Sequence, residues 1–280
     1  GANPEVMRHA LATAATFASG LQQAFRSDAM TKCLHAGHAA WVGVNAGKGA
    51  AHGVTGALDI LEGPAGFGAA LSLNPNWAEA TRDLGTRYNI QSITQKNHGC
   101  CGHTFAAIDA MLDIRQLHTL DPAQIASIRI DTYQTALDVT GNFEPRTAFE
   151  AKFSLPYVVA HALLYGAVRL NAFEPQRLQD ANLRALMAKT KLVADPQLSA
   201  GFPALRAARI VITLRDGRVI EQYAPCRKGD PEAPLSDTDI SDKFTELASP
   251  VIGAEAAARL LAQLWQMERL QVADLRLTSL

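Results

Sequence analysis

Residues 96–109 read KNHGCCGHTFAAID, one lysine, two histidines (His98, His103) and two adjacent cysteines (Cys100, Cys101) ahead of an apolar, helix-like run. Soft and titratable groups at this density point to three chemistries: a metal centre, a thiol redox pair, or a pocket for an anion. Structural zinc sites take C-x2–4-C and H-x3–5-H pairs. His98 and His103 fit the second spacing loosely, but adjacent cysteines diverge, and Cys33 and Cys226 supply no second pair. No metal is therefore expected, and without C-x-x-C a redox role has no better support. Two readings stay open. Small cysteines can simply be buried beside a helix start. Alternatively Lys96, the backbone freed at Gly99 and Gly102, and a helix N-terminus make an anion pocket in which His98 and His103 transfer protons near neutral pH.

A second stretch, SDAMTKCLHAGHAA, carries Lys32, His35 and His38. His35 and His38 stand three apart, so they share a helix face if the segment is helical. The plain reading of His38 is a solvent-facing residue.

The elements that must position these groups follow from periodicity. PEVMRHALATAATFASGLQQAF has apolar residues at helical spacing, and Asn3-Pro4 reads as an N-cap and first helical residue. HAGHAAWVGVNAGKGAAHG is rich in small residues that let helices approach closely, and NWAEATRDLGTRY reads as a short helix. After Lys96 the character changes. TFAAIDAMLDIRQLH is helical, IASIRIDTY alternates like a half-buried strand, and SLPYVVAHALLYG is a buried helix stopped by Gly166. EPQRLQDANLRALMAKT is amphipathic, and ARIVITLRDGRVIEQYA is a hairpin turning at Asp216-Gly217. The chain closes on the helices DISDKFTELAS and AEAAARLLAQLWQMERL. The expected fold is an all-α helical domain with an inserted α+β domain, divided as 1–97, 98–235 and 236–280.

Composition bounds the function classes. In 280 residues, 48% are hydrophobic and 19% charged, a globular balance. A formal net charge of -1 argues against a nucleic-acid footprint. No apolar run approaches the roughly 20 residues of a membrane helix, and no signal segment opens the chain. Four cysteines make no disulfide framework, which points to a reducing, cytoplasmic compartment. The start Gly1-Ala2-Asn3-Pro4, without methionine, reads either as a processed or tag-derived end or as the interior of a larger protein.

Four stretches, TKCLHAGHAAWVG, KNHGCCGHTFAAIDA, FEAKFSLPYVVAHALLYG and KGDPEAPLSDTDISDKF, occur in the order and spacing of the MmgE/PrpD family, which the chain resembles over nearly its whole length. The family includes 2-methylcitrate dehydratases, cis-aconitate decarboxylases and iminodisuccinate epimerases. The resemblance implies the helical domain with its α+β lid, a site in the cleft between them, a homodimer, and chemistry without a cofactor. It places Lys32, Lys96 and Cys101 in the pocket and lets Tyr157 contribute from the lid. The sequence departs from the family at Phe105, where relatives often carry His. It also implies that the N-terminal part of the helical domain, with its Asp and His residues, is absent.

The implied reaction is a dehydratase-type elimination from a small di- or tricarboxylate, begun by proton removal next to a carboxylate, with decarboxylation and epimerisation as variants. Lys32 and Lys96 would stabilise the developing enediolate. His35 and His103 are the acid–base candidates, with Cys101, His98 and Tyr157 as binding residues. The alternative from another class is a catalytically incomplete subunit that binds a carboxylate.

Overall fold

The computed structural model describes residues 2–25, 29 and 31–271 and resolves the chain into two compact units, Gly1–Tyr88 and Asn89–Leu280. The division places Lys96 and the closing segment 236–280 in the same unit. In the first unit, α1 (Pro4–Thr16) is capped by Asn3, whose side chain accepts from the Val6 N–H at 2.8 Å. It packs on α2 (Thr31–Ala51) through Ala12, and α2 in turn buries Val42, Ala46 and Ala50. Small residues at these positions allow the backbones to approach. The expected first helix stops at Thr16, short of Gly20, whose φ of +113° no helix can continue through. NWAEATRDLGTRY keeps only one helical turn, Trp77–Thr81.

The second unit is built on a four-stranded mixed sheet. Its elements are α3 (Phe105–Leu117), β1 (Ile125–Thr132), α4 (Leu155–Tyr165), α5 (Ala181–Ala188), β2 (Thr190–Ala194), β3 (Ala208–Leu214), β4 (Val219–Ala224), α6 (Asp237–Ile252) and α7 (Ala254–Leu264). The strand order is β2-β1-β3-β4, parallel between β1 and β2 and antiparallel elsewhere. In register, Ile128 faces Ile212 and Ile130 faces Ile210, all fully buried. The β3–β4 turn falls at Asp216-Gly217 as expected, with Gly217 at φ +88°. Helix α3 covers β3 and β4, and α4 packs between α3 and α5. Each fully buried Ile, Leu or Phe in this core stabilises it by about 1.5–3 kcal/mol.

Helix α4 is buried almost all round, from Leu155 to Leu163, as a core helix is. Ser154 caps it, Pro156 occupies its first turn, and Gly166 ends it at φ +85°. Its one oddity is His161. The side chain is fully buried, and neither ring nitrogen has a hydrogen-bond partner among the described residues. Burial, assisted by the Arg177 charge, pulls its pKa down to about 4. The unfolded chain therefore binds this proton at higher pH than the folded one. Stability should fall as pH drops from about 6.5 towards about 4, by a ceiling on the order of 3 kcal/mol from this group. His161→Leu should flatten that part of the profile and stabilise the protein at pH 7, because it also removes an unpaired buried N–H. Urea midpoints of both proteins across pH 4–7 check this, and parallel profiles would refute it.

Candidate active site

The segment 95–101 is fastened to four distant parts of the second unit. The Gln95 N–H donates to the Gly229 carbonyl at 2.8 Å, and Lys243 Nζ donates to the Lys96 carbonyl at 2.6 Å. Arg169 donates from Nη2 to Asn97 Oδ1 at 3.2 Å. The Gly99 N–H reaches the Val168 carbonyl at 2.8 Å, and the Cys101 N–H reaches Lys152 at 2.9 Å. A loop held this way loses little freedom when a ligand arrives, which is what preorganisation requires.

Gly229 is essential to this arrangement. Its φ is +104°, and a Cβ there would stand 2.0 Å from the Gln95 carbonyl oxygen. Only glycine lets the 226–232 loop approach the backbone just before Lys96.

The fastening leaves the Lys96 side chain exposed, with its ammonium 5.9 Å from the centre of the buried Phe105 ring. No carboxylate pairs with it among the described residues. Lys243 and Arg169 are its cationic neighbours: burial first, then the charges of Arg169 and Lys96, lowers the Lys243 pKa. Among the described residues, the one carboxylate bonded to this trio is Glu246, 2.7 Å from Arg169 Nη1. Three cations against one carboxylate leave a local positive excess suited to an anion.

His98 lies behind Lys96, buried, with Nε2 2.9 Å from Asp109 Oδ1 on α3 and its ring edge-on to Phe105 at 5.2 Å. A carboxylate only accepts, so the bond fixes a proton on Nε2. Nδ1 is buried and without a partner among the described residues. The other Asp109 oxygen accepts from the Lys228 N–H at 2.8 Å. One carboxylate thus ties the Lys96 segment to the Lys228-Gly229 loop.

His103 is separate from this pair. Its Nδ1 is 2.7 Å from the Tyr133 hydroxyl, and Tyr133 stacks on Phe202 at 4.8 Å. Burial raises the Tyr133 pKa to about 12, so the hydroxyl keeps its proton. That hydroxyl is buried and, among the described residues, has only His103 to donate to, so Nδ1 accepts and the imidazole proton sits on Nε2. Burial, then the charges of Arg206 and Arg227, lowers the His103 pKa. Sequence expects a residue poised to shuttle protons near neutral pH; in the structure the Tyr133 hydroxyl occupies Nδ1, so Nε2–H is the ring atom that can meet a ligand. The two cysteines also diverge in environment. Cys100 is buried against Thr104 with its thiol pushed up to about 12 by burial, whereas Cys101 is half-buried.

Of the residues singled out by sequence, Lys96, His98, Cys101 and His103 stand together in the second unit. Lys32 and His35 stand in the first turns of α2, in the first unit, Lys32 exposed and His35 half-buried. Ser27, Asp28 and Met30 of that stretch lie outside the described residues. Tyr157 is placed differently from its expected role as a pocket group. Its side chain is fully buried and its hydroxyl donates to the Ala172 carbonyl at 2.6 Å, so it anchors α4 to the 170–173 turn. Sequence reasoning missed Asp109, Gly229 and Lys243, although all three lie inside stretches it singled out.

Comparison with known proteins adds an independent line. The MmgE/PrpD C-terminal domain matches residues 98–267, and the MmgE/PrpD N-terminal domain matches residues 1–80. The second match removes the support for an absent N-terminal part of the helical domain. The chain is 28% identical over 278 residues to the cis-aconitate decarboxylase-like protein oryM of Aspergillus oryzae (strain ATCC 42149 / RIB 40), covering 93% of this chain and 56% of that protein. It is 28% identical over 250 residues to the cis-aconitate decarboxylase of Mus musculus, covering 86% and 50%. With the 2-methylcitrate dehydratase of Cupriavidus necator it shares 27% over 128 residues, covering 43% and 26%. The chain spans about half the length of the first two relatives. Among the described residues, no helix is long and apolar enough to cross a membrane.

Proposed function

The chain belongs to the MmgE/PrpD family, and on that premise we propose that it is part of a lyase acting on a small polycarboxylate through a carboxylate-stabilised carbanion. The observation that carries this reading is the exposed, unpaired ammonium of Lys96 on a loop fastened from both sides. Such a charge is already in place when negative charge develops on a substrate carboxylate, so no reorganisation is needed during reaction.

The two chemistries named by the relatives share that intermediate. In dehydration a base removes the α-proton, the electrons move into the carboxylate, and the β-hydroxyl takes a proton from an acid and leaves as water as those electrons form the C=C bond. In decarboxylation the C–C bonding pair stays on carbon as CO2 departs, and an acid then protonates that carbon. Lys96 serves both by pairing with the remaining carboxylate, and Lys32 is a second candidate for this role. His103, with Nδ1 taken by the Tyr133 hydroxyl, is suited to donate a hydrogen bond from Nε2–H to the charged intermediate. The relatives matched over most of this chain carry the decarboxylase name, which favours loss of CO2 over loss of water.

Product analysis with cis-aconitate, 2-methylcitrate, citrate and amino-linked dicarboxylates decides between them. Lys96→Ala should lower kcat/KM for the true substrate by roughly a hundredfold or more, the range for losing one preorganised electrostatic group. A near-parental value would remove Lys96 from the mechanism.

A further inference from the structure

A cavity of about 350 Å³ lies between the 92–94 segment, the 203–206 segment and the 226–232 loop, towards the small end of ligand pockets. Its walls carry two guanidinium groups, Arg206 and Arg227, and two carboxylates, Asp230 and Glu232. Arg227 is spent. Nε and Nη2 hold Asp230 at 2.9 and 2.5 Å, and Nη2 also donates to Thr94 Oγ1 at 2.8 Å. Asp230 is spent with it and accepts from Thr94 Oγ1 as well.

Arg206 is in a different state. It is half-buried and lies 5.5 Å over the Phe202 ring, and no carboxylate pairs with it among the described residues. A cation–π contact with the ring uses none of the guanidinium N–H donors, which stay available for a ligand. The remaining carboxylate, Glu232, is exposed at the rim. Behind Arg206 stands the His103–Tyr133 pair, so no acid faces it from that side. We propose that this cavity is a binding site for a small carboxylate, with Arg206 as the group that takes it. A planar fork of N–H donors over an aromatic ring matches a carboxylate's two oxygens. The inference needs only Arg206 and its cavity and does not depend on the reaction proposed for Lys96.

Calorimetric titration of the protein with citrate at low ionic strength, with inorganic phosphate as a second probe, tests it. Arg206→Gln should weaken citrate binding roughly tenfold or more, the loss of one charge-assisted fork. Arg206→Lys, which keeps the charge but not the fork, should fall between, and Glu232→Gln should tighten binding by removing a like charge from the rim. Lys96→Ala should leave this binding component unchanged. A proton NMR titration supplies a second readout: citrate should raise the apparent pKa of His103 in the parent protein and not in Arg206→Gln. Parental citrate affinity in Arg206→Gln would overturn the proposal. Phosphate binding as tightly as citrate would overturn the assignment to a carboxylate. Citrate binding lost in Lys96→Ala and kept in Arg206→Gln would overturn it too, while leaving the reading of Lys96 intact.

Discussion

Alanine at Gly229 should cut turnover about a hundredfold, the scale expected when a reacting group is displaced by about 1 Å, although Gly229 carries no functional group. The added Cβ would stand 2.0 Å from the Gln95 carbonyl oxygen, a backbone atom that cannot swing away like a side-chain tip. Relief requires the 226–232 loop to withdraw, which breaks the Gln95–Gly229 hydrogen bond and frees the residue next to Lys96. Part of the effect will be strain, because φ of +104° disfavours any side chain, typically by about 1–3 kcal/mol. Gly217 separates the two contributions. It has φ +88° in the β3–β4 turn, but a Cβ there meets nothing within 4 Å. Gly217→Ala should therefore lose stability and keep kcat/KM, whereas Gly229→Ala should lose both. Equal retention of turnover in the two variants would show that the Lys96 loop does not depend on this close approach.

The helical segments with strong periodicity were legible in the sequence, as were β1, the Asp216-Gly217 hairpin and the Ser154-to-Gly166 helix. Each carries its own local signal: alternation, a turn dipeptide, a cap. Strand β2 (Thr190–Ala194) was not legible. Its first residue, Thr190, ends the amphipathic stretch and the other four follow it with no signal of their own, so only parallel pairing with β1 makes them a strand. The same limit applies to the site. Lys96, His98, Cys101 and His103 cluster because they are neighbours in sequence. Asp109 and Gly229 act on them through contacts that depend on how α3 and the 226–232 loop are folded back. Tyr157 shows the converse. Its place in a family motif suggested a pocket group, but a tyrosine in the first turn of a helix buried all round has its hydroxyl committed to the nearest free carbonyl, that of Ala172. The surroundings of His103 were hidden for a related reason, since its pKa is lowered by burial and then by the charges of Arg206 and Arg227, about a hundred residues or more further along the chain.

Asp109 should prove the residue whose loss costs most in stability and whose conservative replacement says most about the site. Its side chain is 12% exposed and holds two donors at once, His98 Nε2–H at 2.9 Å and the Lys228 N–H at 2.8 Å. Asp109→Ala leaves His98 Nε2–H without an acceptor in a buried setting and hands the exposed Lys228 N–H to water, so a loss of roughly 1–3 kcal/mol is expected in urea unfolding. Asp109→Asn keeps the shape but replaces one acceptor oxygen with an NH2 group. If that NH2 faces the Lys228 N–H, two donors collide and the 226–232 loop shifts. If it faces His98, the ring must move its proton from Nε2 to Nδ1, the nitrogen that has no partner now. Either outcome disturbs the ground behind Lys96, so Asp109→Asn should lower kcat by roughly tenfold while KM changes little. The 15N shifts of His98 distinguish the mechanisms: the parent should show the Nε2–H tautomer, and the variant a mixture or the Nδ1–H form. A variant with the parental tautomer and parental kcat would reduce Asp109 to a structural tie between α3 and the Lys228 loop. A changed tautomer with a lowered kcat would make it a positioning residue, acting on Lys96 through the imidazole packed behind it.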